Sequence, residues 1–115
     1  MRHEKLYLTD IVEAARAIEK FIKGADFDEF EQNEMMNSAV LQKLSVIGEA
    51  ASKLPKEFTK RFPEIPWADI KGFRNIAVHA YFAVRWDIVW VAASEEAPTL
   101  RKQIDKILRD EFTDE

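Results

Sequence analysis

The sequence has no cysteine, and its 115 residues include only three glycines, four prolines and two histidines. Without thiols there can be neither a disulfide framework nor a thiolate metal site. No apolar run approaches the roughly 20 residues that span a bilayer. The opening MRHEKLYLTD turns charged at once, so a secretory signal is not expected and a cytosolic protein with no membrane attachment is. No segment alternates apolar and polar residues between turn signals, which leaves nothing to read as a strand. What is present is ordinary for a globular protein: 47% apolar and 33% charged residues. The length fits one domain over residues 1–115, with a modest core of the kind a partner subunit often stabilises.

The net charge of −4 argues against a polyanionic partner, but its distribution does not. From Lys53 to Arg85, seven basic residues (Lys53, Lys56, Lys60, Arg61, Lys71, Arg74, Arg85) face three acidic ones (Glu57, Glu64, Asp69). A local positive field of this kind attracts phosphate even on an acidic protein. A solvated mixed-charge surface is the plainer reading of the same residues.

Apolar spacing of three and four recurs along the chain. Leu8, Ile11, Ala15, Ile18 and Ile22 predict an amphipathic helix over about residues 5–23, ended by Gly24. Asp26 is placed to cap a short turn and Asn33 to cap a helix over about 34–53, with Val40, Leu44, Ile47, Ala51 and Leu54 on its apolar face. Ala39, Gly48 and Ser52 offer small side chains for close helix approach. Pro55 ends that helix and opens a short one through Arg61. RFPEIP is a connector. Pro66 suits the first turn of a helix holding Trp67, Ile70, Phe73, Ala77 and His79. AYFAVRW reads as a short loop. Asp87 is the expected cap of a last helix over 87–111, which Pro98 should kink or divide. The expectation is an all-α bundle of about four long helices with short extra turns.

Chemistry concentrates in RNIAVHAYF, residues 74–82. On a helix, Arg74 and His79 lie roughly 140° apart around the axis, whereas Asn75 and His79 share a face. Asn75 could therefore set the tautomer of His79. A helix through both ends of the motif would put Arg74 and Tyr81 about 10 Å apart along its axis. One helix cannot close a site from these groups, so the opposite wall must come from elsewhere. Each type also has a plain structural role: a solvated Arg, a His favoured by the helix dipole, a core-edge Tyr with a wet hydroxyl. Trp67, Trp86 and Trp90 could stack bases but at helical spacing read as core anchors. Glu49 could line a cleft or be a solvated charge. His3 reads as a surface residue.

R-N-I-A-V-H-A-Y resembles the R-x4-H-x-Y motif of HepT-like ribonuclease toxins, a branch of the HEPN superfamily. LYLTDIVEAARAIEKF, VLQKLSVIGEAASKLP, the FPEIPWADIKGFRNIAVHAYF block and WDIVW are similar to the same family, so the resemblance covers nearly the whole chain. It implies a HEPN-type up-down helical bundle that forms a homodimer. It implies metal-independent cleavage of an RNA substrate, with the motifs of two subunits in one cleft at the dimer interface. Its implied partner is a nucleotidyltransferase antitoxin of the MNT type, which transfers AMP to the motif tyrosine, here Tyr81. Many relatives carry an acidic residue between the His and the Tyr; this chain has Ala80, which weakens any scheme with a carboxylate there orienting His79.

The expected chemistry uses the RNA's own 2′-OH as nucleophile, with a base, an acid and a cation for the phosphate. His79 suits proton transfer, Arg74 suits phosphate, and Asn75 and Tyr81 support them. One credible imidazole per chain falls short of the two that acid–base cleavage prefers, and a two-fold axis would supply the second. Glu64 and Asp69 stand apart from His79 in sequence, so no metal or other cofactor is expected. Two other readings stay open: a non-catalytic nucleotide-binding or partner-binding subunit of a nucleotidyltransferase, and a plain helical dimerisation domain.

Overall fold

A computed structural model describes residues 2–78 and 85–112 of the chain. Its elements are α1 (Arg2–Phe21), α2 (Phe27–Gln32), α3 (Glu34–Ser52), α4 (Lys56–Thr59), α5 (Trp67–Val78), α6 (Trp86–Val91), a π-helical turn (Ala92–Glu96) and α7 (Ala97–Glu111). The described residues are all-α, and α1, α3, α5 and the run from α6 through α7 are the four long pieces.

Local chemistry sets most of the boundaries. Past the end of α1, Gly24 adopts φ 79°, a conformation cheap only for glycine. Asp26 caps α2 in a reciprocal box: its Oδ1 accepts from the Glu29 amide (2.9 Å) and Glu29 Oε1 accepts from the Asp26 amide (3.1 Å). Asn33 closes α2 and caps α3, accepting from the Met36 amide at 2.9 Å. Asn37, the buried polar residue of α3, donates through Nδ2 to the carbonyls of Phe30 and Glu31. Both carbonyls belong to the last turn of α2, so the buried amide fastens α2 to α3. Trp67 donates Nε1–H to the Phe62 carbonyl at 3.0 Å and thereby fixes the proline-rich connector into α5.

One expectation for the last helix needs correction. Asp87 is not its cap. The helix begins at Trp86, Arg85 occupies the cap position without a side-chain bond to it, and Asp87 sits in the first turn paired with Arg85. A carboxylate is favourable there too, because the helix N-terminus is positive. The division expected at Pro98 is present: α6 ends at Val91, and α7 begins at Ala97 with Pro98 in its first turn. A π turn lies between them, with the Ala97 amide bonded to the Ala92 carbonyl. A proline inside a regular α-helix clashes with the carbonyl four residues back; the wider turn over 92–96 absorbs that conflict.

α3 is the centre of the packing, with α1 on one flank and α5 on the other, and α7 packs against α1. Leu8, Ile11, Ile18, Leu44, Ile47, Leu100 and Ile104 are all but inaccessible to solvent. Phe30 joins α2 to α6 through Trp86 and Trp90, at 5.9 and 5.1 Å between ring centroids. Arg101 binds Glu19 of α1 and Asp105 of its own helix, and Arg16 reaches Asp105 as well, so α1 and α7 are also tied by charge. Among the described residues no helix is long and apolar enough to cross a membrane.

Candidate active site

Arg74 projects from α5 with about half of its side chain exposed. Its position is set by a glycine on the neighbouring helix. A Cβ added to Gly48 would lie 2.6 Å from the Arg74 backbone nitrogen and 3.1 Å from its Cβ. Only hydrogen fits there, so α3 and α5 touch backbone to backbone at the residue that carries the guanidinium. That contact puts Arg74 opposite the next turn of α3. Its Nη1 donates to Glu49 Oε1 (3.0 Å) and to Ser52 Oγ (3.3 Å), and Ser52 Oγ donates onward to the Glu49 carbonyl (2.7 Å). Glu49 and Ser52 thus grip one nitrogen of the fork. Nε and Nη2 have no hydrogen-bond partner among the described residues, and two donors in one plane suit a phosphate.

Asn75 is exposed beside Arg74 on α5. His79, Ala80 and Tyr81 lie outside the described residues, and with them the expected Asn75–His79 contact. The tryptophans are anchors, as their spacing suggests: Trp67 is buried, and Trp86 and Trp90 are half-buried against Phe30. His3 is exposed, with its ring stacked at 6.5 Å from Tyr7.

The basic third of the chain resolves into two kinds of cation. Its arginines are all engaged: Arg61 with Glu111, Arg74 with Glu49, Arg85 with Asp87. The Arg85 guanidinium holds the Asp87 carboxyl below its usual range. Lys53, Lys56, Lys60 and Lys71 have no ion pair among the described residues, and Lys53 instead lies over the Tyr7 ring at 5.9 Å. Among the described residues no three His, Asp or Glu side chains converge as metal ligands.

A family model for HepT-like ribonucleases, "Ribonuclease HepT-like", matches residues 11–107. The chain belongs to the HepT-like family. A Methanocaldococcus jannaschii protein named "Putative RNase MJ1380" is 36% identical over 104 residues, covering 90% of this chain and 95% of that one. "Putative RNase TTE0752" of Caldanaerobacter subterraneus subsp. tengcongensis is 34% identical over 96% of this chain and 99% of its own. "Probable ribonuclease HepT" of Thermococcus cleftensis is 36% identical over 92% and 96%. No solved structure matches the chain significantly.

For a HepT-like protein the sequence motif marks Arg74 but not its holder. Glu49 is 25 residues away, and only the packing of α3 on α5 brings the two together. The hint in the sequence is Gly48: a lone glycine inside an apolar helix points to a close helix contact, and the residue after it then sits at that contact.

Proposed function

We propose that this chain is a metal-independent endoribonuclease and the toxin of a HEPN/MNT toxin–antitoxin pair, acting in the cytosol as a homodimer. The observation that carries the reading is Arg74, held at the surface of α5 by Glu49 and Ser52 with two guanidinium nitrogens to spare, inside an R-x4-H-x-Y motif.

The chemistry follows from the residue types. One His79 takes the proton of the RNA 2′-OH, and the 2′ oxygen attacks the adjacent phosphorus. The P–O5′ bond breaks, and the second His79, from the partner copy, protonates the leaving 5′ oxygen. The products are a 2′,3′-cyclic phosphate and a 5′-hydroxyl. Arg74 from each copy stabilises the charge that builds on the phosphorane oxygens, where fixed donors count most. Asn75 supports the imidazole, and Tyr81 donates its phenolic hydrogen to phosphate, since at neutral pH a phenol is a donor rather than a base.

Neutralisation acts on the same groups. The MNT-type antitoxin directs the Tyr81 oxygen onto the α-phosphate of ATP; pyrophosphate leaves and the phenolic proton is lost to solvent. The AMP now on Tyr81 fills the phosphate site near Arg74 and adds charge that repels RNA.

Expression of the chain alone tests the reading. Growth arrest and cleaved RNA are expected, with cyclic phosphate ends and no loss of cutting in EDTA. His79→Ala and Arg74→Ala should each lower cleavage by about 10²–10⁴-fold. Intact mass after co-expression with the antitoxin should rise by AMP units, and Tyr81→Phe should abolish the rise. A folded wild-type chain that leaves RNA intact would instead favour the nucleotidyltransferase-binding subunit.

A further inference from the structure

Beside Arg74, on the solvent side of α1 and α3, lies a groove of about 240 Å³. Tyr7 and Asp10 line it from α1, and Gln42, Glu49 and Lys53 line it from α3. The spacings make it a single trough: 7 and 10 are three apart, and 42, 49 and 53 follow one another by seven and four, so each set shares a helix face. Glu49 belongs to the groove and to the Arg74 pair alike, so the trough ends at the guanidinium. Lys53 lies over the Tyr7 ring, and His3 stacks on the same ring from the preceding turn of α1.

Resting on the nuclease reading above, we infer that this groove receives the nucleobase next to the scissile phosphate and selects it, with Asp10 and Gln42 as specificity-determining residues.

Charge decides what enters. The groove holds two carboxylates, Asp10 and Glu49, against one ammonium, Lys53. Glu49 is already paired with Arg74, so Asp10 is the carboxylate left over; it opposes a phosphate inside the trough, while the spare guanidinium nitrogens of Arg74 take one at its end. A neutral base is not repelled. Its flat face can lie against Tyr7, the aromatic residue of the lining, and base–aromatic stacking tolerates any base. Its edge meets acceptors. A carboxylate can only accept, and the bases differ in how many donors they present side by side. Guanine offers a ring N–H and an exocyclic amine adjacent to each other, a match for both oxygens of one carboxylate. Uracil offers a single N–H between two carbonyls that Asp10 and Glu49 repel. Gln42 supplies a donor for the guanine carbonyl. The volume agrees with this occupant: it falls below the roughly 300–1000 Å³ of drug-sized sites and suits one base rather than a whole nucleotide.

The test is cleavage of a random-sequence RNA pool by the purified chain, with the ends of the fragments sequenced. The wild type should show guanine enriched at one fixed position within two nucleotides of the cut. Asp10→Asn turns half of the acceptor into a donor and should reduce that enrichment about tenfold, the size of one bidentate base contact, while cuts beside other bases fall much less. Lys53→Ala should lower cutting evenly over all sequences and flatten its salt dependence, as loss of a phosphate contact does. Arg74→Ala reports separately on the nuclease reading, since it should lower cutting by about 10²–10⁴-fold whatever the sequence. If the wild type cuts and Arg74→Ala shows that loss, yet Asp10→Asn and Gln42→Ala keep the wild-type base preference, the groove assignment is wrong and the nuclease stands. Variants that instead dissociate the protein in sedimentation would make the trough a subunit interface and overturn the inference. A wild type that cuts nothing removes both readings.

Discussion

Glu96 is one of four carboxylates that line a single surface pocket. Glu64, Asp69, Glu95 and Gln103 share it, between the connector before α5 and the π turn. Partial burial of its carboxyl, and then the negative charges of Asp69 and Glu95, raise its pKa. The direction of the stability effect follows by linkage. A folded state that holds a proton more tightly than the unfolded chain gains stability below the ordinary glutamate range. That gain is lost as the pH rises through the raised value, where Glu96 becomes an ion beside like charges. Glu96→Gln should therefore raise Tm at pH 7, and the gain should shrink to nothing towards pH 4. Melting curves of both proteins across that range check it; a difference that stays constant with pH would assign the effect to something other than charge. The same residue-by-residue view shows what a linear sequence can display. Arg74 and Asn75 are legible because the motif is local. Glu49 as the holder of Arg74, and the converging acids around Glu96, depend on helix register between segments 25 or more residues apart, and no short-range pattern encodes that.

Helix ends are the most legible part of this fold, because the groups that make them are neighbours. Asp26 with Glu29, and Asn33 with Met36, are separated by three residues and need no tertiary structure to act. Asp87 misled for the converse reason. An acid suits both a cap and a first turn, so local chemistry allows two answers and packing selects. Gly48 gives the sharpest prediction between elements. With a Cβ 2.6 Å from the Arg74 amide nitrogen, Gly48→Ala must push α5 away from α3. Overpacking of this kind costs about 1–3 kcal/mol, or several degrees of Tm for a chain of this size. The displaced guanidinium should also lose Glu49, so cleavage should fall further than the fraction unfolded explains. Gly72→Ala, also in a helix that meets α3, is the control: nothing lies within 4 Å of its added Cβ. Removing a mid-helix glycine there should stabilise by about 0.5–1 kcal/mol. Equal effects of the two substitutions would show that helix propensity, not the α3–α5 contact, governs this region.

For the molecule as a whole, the proposal depends on what one chain lacks. It has two histidines, of which only His79 belongs to the motif, and Arg74 faces solvent rather than a closed cleft. The outer side of α6, which follows the motif in sequence, carries Ile88 and Val91 three residues apart and each nearly half exposed, so apolar surface is available for a second copy to cover. Subunit mixing separates a shared site from two independent ones. Wild-type chains and His79→Ala chains, unfolded together in equal amounts and refolded, assort at random into about one quarter wild-type dimers, one half mixed and one quarter variant. If each chain cuts by itself, the mixture keeps roughly half the activity of the same mass of wild type. If one cleft needs both imidazoles, mixed dimers are inactive and roughly a quarter remains. Dilution gives the second measurement: below the dimer dissociation constant, the rate per chain should fall in step with the dimer fraction seen by sedimentation. A mixture that retains half its activity, with a rate per chain unaffected by dilution into monomers, would place the whole reaction within a single polypeptide and leave His79 without its twin.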